Sequence, residues 1–222
     1  MDSTTLIQTL LVYALPVLFS ITAHEAAHGY VARYLGDPTA AMLGRITLNP
    51  FKHIDPVGTI AMPLLLYFAT SGAFVFGYAK PVPVDARRLR HPRRDMAWVA
   101  LAGPASNFVQ ALLWGAALVL LLGLGVDEPF FAGMARAGVL VNLVMWAFNL
   151  FPLPPLDGGH ILVSLLPRPA AEFVARTERW GFFIVMALVL AGVVGSLWLR
   201  PLMLLGSSAI NLLLSPLVAL LS

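Results

Sequence analysis

Apolar runs long enough to cross a bilayer begin near Leu6, Val57, Ala97, Ala132, Phe182 and Pro201 of this 222-residue chain. Crossing a hydrocarbon core of about 30 Å takes roughly 20 helical residues, and every backbone N–H and C=O inside it must be paired without help from water. The chain is therefore expected to be an all-α polytopic membrane protein of about six transmembrane helices, the last two parted only by Arg200 and Pro201. Composition agrees, with 59% hydrophobic and 11% charged residues against about 45–50% and 25% in a soluble domain.

The N-terminal MDSTT carries no Lys or Arg, and the first apolar run leads into His24 and Glu25 instead of a small-residue cleavage site, so no removable signal peptide is expected. Six spans would put the N-terminus and the connections 77–96 and 152–181 on one side. The connections 33–56 and 125–133 and the turn at Arg200 would lie on the other. The first side holds nine Lys and Arg and the second five, which predicts cytoplasmic termini in a multi-pass protein of the cell membrane. The same bias accounts for the net charge of +3, so the expected partner is the lipid bilayer and not nucleic acid. No repeat or polar stretch marks a second domain. Residues 1–222 read as one membrane-embedded domain, with a core at about 6–166 and additional helices at about 182–222.

Two connections suggest a small membrane-associated β element. MLGRITLNP alternates Met42, Gly44, Ile46 and Leu48 with Leu43, Arg45, Thr47 and Asn49, the period of a strand with one apolar face. YAKPVPV, residues 78–84, is non-helical through Pro81 and Pro83 and suits a sheet edge with an incomplete ladder.

The sequence HEAAH at 24–28 places three ionisable groups within an apolar run, where each costs a few kcal/mol to insert and so marks function. Residues four apart share a helix face, so His24 and His28 can offer nitrogens to one metal ion, and Glu25 then points beside it as a base for water. With no cysteine in the chain, such a metal has only nitrogen and oxygen ligands. A catalytic zinc takes three protein ligands and keeps one open position.

The third ligand must come from elsewhere. His91 sits among arginines and reads as solvated, while His53 and Asp55, in NPFKHIDP, suit a local turn with side-chain to backbone bonds. Asp157 stands in FNLFPLPPLDGGHIL, where three prolines break a helix in apolar surroundings, and it is the preferred ligand. His160 is the alternative, as ligand or as an outer partner. In LAGPASN, Gly103, Ala105 and Ser106 suit close helix packing, with Asn107 as a hydrogen-bonding amide. Trp98, Trp180 and Trp198 read as interface anchors.

HEAAH at 24–28, LAGPASN at 101–107 and NLFPLPPLDGG at 149–159, with GRITLNP and AKPVPV, resemble the site-2 protease family of intramembrane zinc metalloproteases. The likeness is to a short form, with no PDZ domain after the first helix and no nucleotide-sensing domain after the last. The resemblance implies one Zn2+ per chain, held by His24, His28 and Asp157 inside the helix bundle, with Glu25 as general base. It also implies that Asn149 meets the scissile region or its oxyanion, and that three helices form the metal-holding core. The implied partner is a transmembrane protein substrate, with a regulatory membrane partner or a homo-oligomer left open. Two other readings of the same residues stand beside it: an ion or proton transporter, and a non-catalytic metal-binding scaffold.

Overall fold

The computed structural model describes residues 3–69, 77–126 and 128–221. Helix α1 (Ser3–Tyr34) ends at Gly36, whose φ of +116° suits glycine, and the Asp37 amide closes the last turn on the Ala32 carbonyl. There follow α2 (Thr39–Met42), a 3-10 turn (Pro50–Lys52), a π turn (Pro56–Ala61) and α3 (Met62–Ala69). After the irregular stretch 77–85 and a 3-10 turn (Ala86–Arg88) come α4 (Pro92–Gly123) and α5 (Pro129–Asn149). The short helices α6 (Asp157–Leu165), α7 (Arg168–Arg176) and α8 (Glu178–Leu190) lead to a π turn (Val194–Leu199) that runs into α9 (Arg200–Leu221).

Helices α1, α4 and α5 pack on one another, and α4 also carries α6 and α9. The interior is built largely from small residues: Ala26, Ala32, Ala100, Ala111, Ala135, Ala137 and Ala147 are all buried. Small side chains let helix backbones approach closely where lipid gives no hydrophobic drive to associate. The outer faces stay apolar, as with Leu10, Leu11, Leu18 and Phe19 on α1.

Four helices, not six, are long and apolar enough to cross a membrane among the described residues: Ile7–Tyr34, Pro92–Gly123, Pro129–Asn149 and Val194–Leu221. The run from Val57 gives only the π turn and α3, and its remainder at 70–76 lies outside the described residues. The run from Phe182 ends early, because α8 stops at Leu190 and the chain turns at Gly192 with φ +74°. Arg200–Pro201 is not a turn. In the π turn before it the Arg200 amide reaches back five residues to the Gly195 carbonyl, and the helix continues through Pro201.

No strand forms among the described residues. In the stretch 42–49, α2 takes Met42, and Gly44 adopts φ +62°, which breaks the alternation. Thr47 then bonds the Asn49 amide, and Asn49 caps the turn at Pro50. These local bonds replace a ladder. In 78–84, Pro81 and Pro83 supply no donor, and the amides of Tyr78, Lys80 and Val82 go to Gly58, His53 and Glu25.

The break between α5 and α6 is braced from the C-terminal side. The Trp198 indole N–H donates to the Ala147 carbonyl at 2.8 Å, and its ring meets Phe151, so this tryptophan is a strut and not an interface anchor. Trp98 and Trp180 are exposed. A Cβ on Gly181 of α8 would stand 1.7 Å from the Pro154 carbonyl oxygen, so α8 lies directly on the broken segment.

Candidate metal centre

His24 and His28 lie one turn apart on the last third of α1, and Asp157 is the first residue of α6. A carboxylate in the first turn of a helix is favoured by the unpaired amides and dipole there. The start of α6 reaches the site because Gly158 and Gly159 rest against the backbone of 150–154, where a Cβ would come within 2.2 and 2.0 Å of main-chain atoms.

Three side chains converge. The Nε2 atoms of His24 and His28 are 3.1 Å apart, and they lie 3.2 and 3.4 Å from the two carboxylate oxygens of Asp157. One ligand atom from each falls within 4.8 Å of the others. Both histidines are buried.

The far side of each ring fixes which nitrogen faces inward. His28 Nδ1 is 2.7 Å from the Val99 carbonyl, which can only accept, and His24 Nδ1 is 2.6 Å from Asn107 Oδ1. The Asn107 amide group donates to Ser20 and Asn142, so its oxygen is the atom turned to His24. The network thus assigns the proton of both rings to Nδ1 and leaves both Nε2 atoms as acceptors. Asp157 Oδ2 is buried and has no hydrogen-bond donor. Two lone pairs and a carboxylate facing one another in a largely buried site need a positive charge among them, and the donor set is that of a three-ligand zinc centre. The residues fit the metal.

Helix α4 walls the site at Gly103. A Cβ there would stand 2.4 Å from His28 Nε2 and 2.6 Å from His24 Nε2, so only glycine leaves the nitrogens clear. Glu25, one residue further round α1, is half-buried, and its Oε2 accepts the Val82 amide at 2.7 Å.

The zinc metalloprotease designation, held provisionally, belongs to several relatives of this sequence. YwhC of Bacillus subtilis is 38% identical over 204 residues, which is 90% of this chain and 89% of YwhC. The chain belongs to peptidase family M50. The M50 profile matches residues 131–192, which hold Asn149 and Asp157. Rip2 of Mycolicibacterium smegmatis is 33% identical over 78% of this chain, and Rip3 of Mycobacterium tuberculosis is 30% identical over 84%. The chain spans 64% of Rip2 and 42% of Rip3. No solved structure matches it.

The remaining sequence candidates of this M50 chain fall outside the cluster. His160 is not in it. Asn149 closes α5 and donates from its amide to the Met145 carbonyl at 3.0 Å. His53 is buried with Nε2 on the Thr47 carbonyl, and Asp55 accepts the Val57 and Gly58 amides, as a local turn requires. His91 is exposed at the start of α4. Asn107 packs as its small-residue neighbours suggest, but its link to His24 spans 83 residues, and no local spacing signals it.

Proposed function

We propose that this M50 chain is an intramembrane zinc metalloprotease, cleaving a peptide bond within or near a transmembrane segment of a membrane-protein substrate. The observation that carries the reading is the convergence of His24 Nε2, His28 Nε2 and the Asp157 carboxylate, one oxygen of which has no donor, beside a membrane-length helix.

His24, His28 and Asp157 would hold the ion. Zinc so placed supplies Lewis acidity, lowering the pKa of water towards about 7 and polarising a carbonyl oxygen. Glu25, beside the ligands on the same helix, takes the proton of the attacking water and passes it to the leaving amine, acting first as base and then as acid. Asn149 turns its amide from the Met145 carbonyl to the substrate, where it stabilises the developing oxyanion. A helical substrate must unwind before its peptide bonds can be reached. The non-helical stretch 78–84, whose Val82 amide meets Glu25, or the stretch 42–49, would be the backbone that receives an unwound segment.

The test is incubation of purified protein in detergent or nanodiscs with single-span model substrates, beside Glu25→Gln. Cleavage by the wild type, with a loss of roughly 10²–10⁴-fold in the variant, supports the reading. Cleavage that survives the change removes Glu25 from the mechanism. Zinc retained by the wild type with no cleavage of any substrate identifies a scaffold, and zinc-independent ion flux identifies a transporter.

A further inference from the structure

Ser20, His24 and His28 are each four residues apart, so they form one stripe along α1. Beside that stripe, Asn107 of α4 and Asn142 of α5 are buried to 0% exposure, as is Ser20. Buried amides at membrane depth are expensive unless every donor and acceptor is used, and here they form a chain with one direction. Asn142 Nδ2 donates to the Gly138 carbonyl at 2.9 Å, which leaves Asn142 Oδ1 as acceptor. Asn107 Nδ2 donates to that oxygen at 3.0 Å and to Ser20 Oγ at 2.9 Å, which turns Asn107 Oδ1 towards His24. His24 must then donate from Nδ1, at 2.6 Å, and its Nε2 is left bare. A carbonyl of α5 that can only accept thereby dictates which nitrogen α1 presents.

We propose that Asn107, oriented by Asn142 and Ser20, is the positioning residue that holds His24 in its metal-binding tautomer. The inference rests on the metalloprotease reading above and deepens it. His28 needs no such device, because Val99 supplies a backbone acceptor directly. An amide does this work at His24 without adding another negative charge beside Asp157 and Glu25. The relay also ties the three packed helices α1, α4 and α5 to one ring orientation, so that small shifts of α5 are felt at the ligand.

Asn107→Leu and Asn107→Asp separate this role from packing. Both keep the branched, four-heavy-atom side chain of asparagine, leucine with the larger volume, and both lose the donors to Ser20 and Asn142. Only aspartate keeps an acceptor for His24. Zinc affinity is measured by competition with a chelator, and the His24 Nδ1–H is followed in ¹⁵N spectra of imidazole-labelled protein, zinc-loaded and metal-free. The expected result is a loss of about 10–100-fold in zinc affinity for the leucine protein, with its Nδ1–H exchanging freely. The aspartate protein stays within a few-fold of wild type, with the proton protected.

Equal loss in both variants, or a leucine protein with wild-type affinity and a protected Nδ1–H, overturns the relay. If the leucine protein fails to fold, Asn107→Val, which is smaller and likewise offers His24 no acceptor, replaces it in the same comparison. The parent reading fails separately, through a wild type that takes up no zinc or a His24→Ala protein that takes up as much as wild type.

Discussion

The main-chain amide of Val82 is hydrogen-bonded to Oε2 of Glu25 at 2.7 Å, between two prolines that have no amide to give. The segment is itself pinned, by Lys80 to the His53 carbonyl and by Arg45 to the carbonyls of Lys80 and Pro81. Glu25 is therefore aimed by a fixed backbone donor. Val82→Pro deletes that donor together with a buried side chain, and Val82→Ala trims the side chain while keeping the donor. We expect the proline protein to bind zinc as wild type does and to cleave a model substrate about 10²-fold more slowly, the scale of a misplaced catalytic group. The alanine protein should stay within a few-fold of wild type.

Gly103 leaves no room for a methyl group beside the two Nε2 atoms. Gly103→Ala should lower zinc stoichiometry well below one per chain and cost roughly 1–3 kcal/mol of stability through overpacking. Metal analysis and thermal unfolding of the same preparation measure both. A glycine-to-alanine change in a helix ordinarily stabilises, so a rise in melting temperature with full zinc would contradict the geometry.

Acid should loosen the latch that follows α1. Burial alone would raise the Asp37 carboxyl, but hydrogen bonds from the Thr39 hydroxyl and amide and from the Asp85 amide, with the charge of Arg88, hold it below the ordinary carboxylate range. A folded-state value below the unfolded one stabilises the fold above about pH 4 and is lost as pH falls through the folded value. Asp37→Asn should thus be less stable than wild type at pH 7. The difference in melting temperature should shrink as both are taken below pH 4.

The candidate cluster is legible in sequence where its geometry is local. HEAAH needs only the four-residue spacing of a helix, and Asp157 is marked by the prolines before it and the glycines after it. Span counting fails where a proline reads as a stop. A π turn carries the helix through Arg200–Pro201, while Gly192, with φ +74°, makes the turn instead. The alternation at 42–49 was real as a pattern, but Gly44 and the caps at Thr47 and Asn49 gave its backbone nearer partners. The bond from His24 to Asn107 had no signal, because packing of α4 on α1 creates it and neither segment alone implies it.

Asp157 and His160 compete in the sequence for the third ligand position, and the fold separates them by one helical turn. Asp157 opens α6 with both oxygens turned to the imidazoles, whereas His160, three residues further along α6, lies outside the cluster. Asp157→Ala removes the carboxylate from a cluster that then has only two nitrogens, and its zinc affinity should fall by more than the 10–100-fold typical of losing an outer partner. His160→Ala should keep one zinc per chain. Reversed outcomes in metal analysis of the two proteins would move the third ligand one turn along α6, and the undonated oxygen of Asp157 would need another cation to balance it.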